Sequence, residues 1–133
     1  MNLVLAAFLA AHALIHISFL TPAPPVTAGG PEWPFQTSHS WLVTRFGLDP
    51  GIAHGLATVL VATTIGLLLA AAGSTVGWLP ATWWPSLVVL GAVSSLATLV
   101  VFFHPWLVLG VVIDLVLLWA TLTAGWTPSS LEA

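Results

Sequence analysis

LVLGVVIDLVLLWATL, Leu107 to Leu122, carries a single ionisable side chain, Asp114, in an otherwise apolar run. The run shows no alternation of apolar and polar residues and is too long for an ordinary strand, so it reads as a helix in an apolar medium. An ionised carboxylate at the centre of such a helix costs roughly 3 kcal/mol on membrane-insertion scales, so Asp114 requires a partner or a protonated state. Partners are scarce. The chain has one basic residue of the Lys/Arg type, Arg45, and five His.

The rest of the chain fits the same medium. Of 133 residues, 59% are hydrophobic and 4% are charged, whereas a soluble domain is about a quarter charged. Crossing a bilayer takes about 20 apolar residues of helix. The candidate spans are Asn2 to Leu20, Ile52 to Ala72, Ser86 to Phe103 and Trp106 to Gly125. Backbone groups in lipid must be bonded internally, and these runs lack the alternation of barrel strands, so each is expected to be helical. The expected fold is all-α: a four-transmembrane-helix, up-down-up-down bundle with a long Pro-rich first loop. The length suits one integral membrane domain over residues 1–133 of the cell membrane, with the lipid bilayer as its surroundings. A net charge of −3 provides no basic surface and excludes nucleic acid as a partner. The absence of cysteine excludes disulfides, thiolate metal sites and thiol catalysis.

The connections differ in kind. Thr21 to Gly51 holds Pro22, Pro24, Pro25, Pro31 and Pro34, and loops this long carry structure or function. Within it, Ser38 to Phe46 is expected to form a short amphipathic helix in the interface. Asp49-Pro50 reads as the cap and first position of the second helix. Trp78, Trp83 and Trp84 suit the headgroup belt, with Trp83 and Trp84 extending the short third span. Phe103-His104-Pro105-Trp106 makes a tight turn. The first span lacks the basic start of a secretory signal and carries two histidines, so it is expected to be retained. Arg45 is set only against the α-amino group at the other face, which leaves the orientation open.

Topology then sorts the polar residues. In an up-down-up-down bundle the long first loop and the tight last turn share one side. His39, His54 and His104 lie at that side. At 1.5 Å per residue, His16 is about 7 Å below it, His12 about 13 Å and Asp114 about 12 Å. His12 and Asp114 therefore share a depth, and His12 and His16, four residues apart, share a helix face. The binding residues expected of a buried polar site are His12, His16 and Asp114, with His54 and His104 near its mouth. His12, His16 and Asp114 are also a candidate metal set, since imidazole suits zinc, copper, iron or nickel. Ala13 follows His12, so the zinc-protease motif is absent. A bis-histidine haem would have to pair His16 with shallow His54 or His104 and is not favoured. Against these readings stands a purely structural one, in which a His12–Asp114 bond fixes helix register. His104 doubles as a turn residue, His54 as helix-start polarity and His39 as a loop histidine. Ser94, Ser95 and Thr98 are expected to bond back to their own helix.

Ala11-His12-Ala13-Leu14-Ile15-His16, the Pro-rich loop and Trp83-Trp84 together resemble small bacterial four-helix membrane proteins of the DoxX type over nearly the full length. That resemblance implies an accessory role in quinone-linked membrane oxidoreductase complexes, and no catalytic residue carries over. The expected function is a small accessory or scaffold subunit with a buried His/Asp site, meeting a membrane-protein partner or its own copies. The alternatives are a metal- or cofactor-binding redox protein, with the cofactor unspecified, and a proton-coupled transporter.

Overall fold

The computed structural model describes residues 1–25 and 28–131. Among them the structure is helical, without strands, and four helices are long and apolar enough to cross a bilayer. Helix α1 (Asn2–Ile15) runs on as a 3-10 turn over His16–Phe19. The first loop holds a 3-10 turn (Thr37–His39) and the one-turn helix α2 (Trp41–Thr44). Then come α3 (Pro50–Thr75), α4 (Trp84–Val101) and α5 (Val108–Leu122), the last two led in by 3-10 turns.

The boundaries have local causes. The Asp49 carboxylate accepts from the backbone N–H of Gly51 at 2.8 Å and of Ile52 at 3.1 Å. With Pro50 preset for the first turn, α3 begins two residues before the expected span. Helix α5 stops at Leu122, short of Gly125, because Gly125 adopts φ +65. Trp126 N–H then donates to Ala120 O at 3.0 Å and closes the last turn.

The segment Ser38 to Phe46 departs from expectation. Ser40 is extended, with ψ 141, and splits the region into two single turns. Instead of lying in the interface as one amphipathic helix, it clasps the end of α4. Ser40 Oγ donates to Val101 O at 2.6 Å, and Trp41 Nε1 donates to Val100 O at 2.8 Å. These bonds bring the long loop and the α4–α5 turn to the same end of the bundle, as alternating topology requires.

Helix α1 packs on α3, α3 on α4, and α4 on α5, whereas the backbones of α1 and α5 stay apart. The buried apolar residues divide into two clusters. One holds Leu9, Ala13, Leu68, Trp84, Val88 and Leu117. The other, toward the long loop, holds Phe19, Ala57, Val61, Leu99, Phe102 and Leu107. Between them lies a buried polar layer: His12, His16, Thr64, Ser94, Ser95, Thr98 and Asp114.

Close approach of α3 and α4 depends on Gly91. A Cβ there would sit 2.7 Å from Leu68 Cδ2 and 2.9 Å from its Cγ, and Leu68 is fully buried with nowhere to move. Gly91→Ala is therefore expected to destabilise the bundle by about 1–3 kcal/mol, the usual cost of overpacking. Thermal unfolding in detergent is the check, and an unchanged midpoint would refute it.

Candidate functional site

The polar layer owes its position to helix spacing. His12 and His16 are one turn apart on α1 and project together into the seam that faces α5. Asp114 sits on the buried stripe of α5, with Leu117 and Ala120. Ser95 lies on the buried face of α4, with Ala92 and Leu99.

The four side chains are joined. His12 Nε2 and Asp114 Oδ1 are 2.8 Å apart, and Ser95 Oγ lies 2.5 Å from Asp114 Oδ2. The same Ser95 oxygen is 2.9 Å from His16 Nε2, while His16 Nδ1 donates to the carbonyl oxygen of His12 at 3.0 Å. Asp114 and Ser95 are 0% exposed, His16 1% and His12 7%. The rings of His12 and His16 meet edge to face at 5.4 Å, and Phe8 stacks on His12 at 6.3 Å. Three helices thus contribute to one closed network of direct contacts.

A second polar pair stands beside it. Thr64 Oγ1 on α3 donates to Ser94 Oγ at 3.0 Å, and Ser94 Oγ donates to Leu60 O at 3.1 Å. Of the hydroxyls at 94, 95 and 98 on α4, Thr98 bonds back to its own helix, at Ser94 O. Ser94 and Ser95 instead bridge helices. That corrects the expectation for both, and Ser95 is the site residue that sequence reasoning overlooked. The signal was available: Ser95 lies six residues above Val101, about 9 Å from the loop-side end of α4 and close to the depth of Asp114.

His54 and His104 fall elsewhere. His54 is exposed and lines a cavity of about 370 Å³ on the loop side, with Thr21, Trp33, Gln36 and Thr37. Phe19 and Phe35, with ring centroids 5.1 Å apart, stand between that cavity and the network. His104 caps the turn before α5, its Nδ1 accepting from Trp106 N–H at 3.2 Å. His39 faces Glu32 at the surface, 3.8 Å away.

The candidate metal residues are turned toward one another in this arrangement. Among the described residues no group of three or more His, Asp or Glu side chains is placed to hold a metal ion. The reason is local. His12 Nε2 meets Asp114 Oδ1 directly and His16 Nε2 meets Ser95 Oγ, so the three side chains are turned to one another and to Ser95 instead of converging on one shared position.

Beside the network, the seam between α1 and α5 opens into a cavity of about 330 Å³. Its wall is apolar apart from His12 and His16: Phe8, Ala11, Ile15 and Phe19 on one side, Leu109, Gly110 and Ile113 on the other. Gly110 lets α5 pack closely on Leu99 of α4, since a Cβ there would meet Leu99 Cδ1 at 2.9 Å. The site can thus present imidazole edges to a molecule that is otherwise in contact with hydrocarbon. No protein-family model matches the chain, and neither a curated protein nor a solved structure does.

Proposed function

We propose that the protein is a small multi-pass protein of the cell membrane that takes up an apolar molecule with one polar group. The occupant lies in the crevice between α1 and α5, with its polar group against His12, the more accessible of the two histidines. The observation that supports this reading is the crevice itself. It opens at the seam where neighbouring long helices leave their backbones apart, and its wall is apolar except at the histidines. Binding sites for small molecules have this composition, with few polar groups in a largely apolar concavity of about 300 Å³ or more. Because the seam runs along the outside of a bundle of membrane-crossing length, the occupant reaches it through the bilayer and not through water.

Ala11 supplies the test. It lines the crevice yet is exposed, so a larger side chain there fills the space without disturbing the core. Ala11→Trp is expected to abolish co-purification of an amphiphile that organic extraction and mass spectrometry recover from the wild type, with the unfolding temperature unchanged. Equal recovery of every lipid species from both proteins would refute the reading.

A specific observation also supports the accessory-subunit reading that the DoxX-type resemblance implies. Helix α5 buries only Asp114, Leu117 and Ala120, while Leu109, Val112, Leu115, Val116, Trp119 and Leu122 face outward. A membrane-protein partner or a second copy fits that face as well as lipid does. The chain has no cysteine, so Val116→Cys places a lone thiol there. Crosslinking in native membranes is expected to yield a defined heavier species, and its absence would leave lipid as the occupant of that face.

A further inference from the structure

We infer that Asp114, Ser95 and His16 form a proton relay. One proton moves between the carboxyl group on α5 and the imidazole on α1, through the Ser95 hydroxyl on α4.

The argument is a count of hydrogens. Four contacts close the network: His12 Nε2 to Asp114 Oδ1, Asp114 Oδ2 to Ser95 Oγ, Ser95 Oγ to His16 Nε2, and His16 Nδ1 to His12 O. Each needs one hydrogen. A carbonyl oxygen only accepts, so His16 Nδ1 carries a hydrogen. His12 in its Nε2–H form supplies another, to Asp114. Ser95 supplies one, which it can point at Asp114 or at His16 but not at both. With Asp114 ionised and His16 neutral, one contact is left without a hydrogen and the network carries a net negative charge. An unpaired buried group and an uncompensated charge are both costly in a low dielectric. One added proton removes both defects together.

That proton removes both defects from two places, since on His12 Nδ1 it would neutralise the charge but leave the Ser95–His16 contact without a hydrogen. In the first form Asp114 is a carboxylic acid that donates from Oδ2 to Ser95 Oγ, and Ser95 donates to His16 Nε2. In the second form His16 is an imidazolium that donates from Nε2 to Ser95 Oγ, and Ser95 donates to the Asp114 carboxylate. A concerted shift connects them. The Asp114 O–H bond breaks as a new Ser95 O–H forms, and the original Ser95 O–H breaks as His16 N–H forms. Serine is regenerated, and no charge enters or leaves the network. Both contacts, at 2.5 Å and 2.9 Å, are already at transfer distance. His12 donates in both forms, so it is a positioning residue.

Among the described residues nothing else titratable faces the relay. Helix α4 contains no ionisable residue, α3 has only His54 near its start, α1 and its 3-10 continuation have only His12 and His16, and α5 has only Asp114. His12 and His16 both line the crevice. An occupant there therefore lies beside the ring that carries the proton in the second form, and its dipole would shift the balance between the two forms. That use rests on the crevice reading above, whereas the relay itself does not.

The test uses the full chain in lipid nanodiscs, with aspartate labelled with carbon-13 at its carboxyl group and histidine labelled with nitrogen-15. Asp49 is the other aspartate in the chain, so Asp49→Asn assigns the Asp114 resonance. In the wild type, the acid fraction of Asp114 and the imidazolium fraction of His16 are expected to sum to one proton across the pH range of the folded state, with the two forms in exchange. Asp114→Asn reproduces the hydrogen-bond pattern of the first form with a fixed amide, and is expected to abolish the His16 imidazolium signal. Ser95→Ala is expected to abolish the exchange. An ionised Asp114 beside a neutral His16 in the wild type would overturn the relay, as would a proton fixed on one partner at every pH and temperature. These signals do not require an occupant in the crevice, so the relay and the crevice fail separately.

Discussion

Asp114→Ala is expected to destabilise the bundle by about 2–4 kcal/mol, whereas Asp114→Asn stays within about 1 kcal/mol of the wild type. Alanine removes both carboxyl contacts at once, leaving His12 Nε2–H buried without its partner and Ser95 with only His16 to bond. Loss of one member of a buried ion pair costs about 3–5 kcal/mol in soluble proteins. Hydrogen bonds between membrane helices are individually weaker, averaging about 0.6 kcal/mol, because the unfolded chain in lipid also finds partners. The expected value lies between these limits because two bonds and a small cavity are lost together. Asparagine restores every contact: its Oδ1 accepts from His12, its Nδ2 donates to Ser95, and Ser95 donates to His16. Thermal unfolding of both variants in one detergent measures the difference. Equal midpoints for Ala and Asn would show that the network contributes nothing by its hydrogen bonds.

Trp84→Ala is expected to cost more still, about 3–5 kcal/mol, the usual range for deleting a buried aromatic. Trp84 is 1% exposed at the start of α4 and packs with Leu9, Leu68 and Val88 in the cluster away from the long loop. Its Nε1 donates to Thr75 Oγ1 at 2.9 Å, joining α4 to the last turn of α3. Trp84→Phe keeps most of the volume and drops the bond, so it is expected to cost only about 1 kcal/mol for that bond plus a smaller packing loss. The ratio between the two variants, read from unfolding midpoints, separates packing from hydrogen bonding. Similar losses for Phe and Ala would mean that the bond dominates.

Trp84 also shows where composition misleads. Tryptophans near the ends of apolar runs read as headgroup anchors, and Trp78, at 84% exposed, fits that description. Trp84 is buried because a 3-10 turn over Ala81–Trp83 rotates α4 so that its first residue points into the bundle. No hydropathy pattern encodes that rotation.

The meeting of His12 with Asp114 was legible because it needed only two things: the alternation of spans and a fixed rise per residue. Depth is a one-dimensional quantity, and the sequence carries it well. Azimuth is not. Ser95 was placed with Ser94 and Thr98 as a back-bonded hydroxyl because α4 is apolar nearly all round, so nothing in its pattern says which face meets α5. The crevice was hidden for a related reason. It arises where α1 and α5 touch only through side chains, toward the long-loop end of their seam, and that spacing belongs to the assembled bundle. His54 and His104 were placed at the correct end, but Phe19 and Phe35 separate His54 from the network, and His104 is occupied in capping a turn.

The bonds from Ser40 and Trp41 to the last carbonyls of α4 have a consequence for the surrounding lipid. At 18 residues, α4 is about 27 Å long, a few ångströms short of the hydrocarbon thickness of about 30 Å. A helix that falls short ordinarily thins the bilayer around it so that its terminal acceptors reach water. Here the acceptors of Val100 and Val101 are satisfied by the chain's own side chains, so those two carbonyls need no water. A polypeptide segment thereby supplies at this end part of what local lipid deformation would otherwise have to supply.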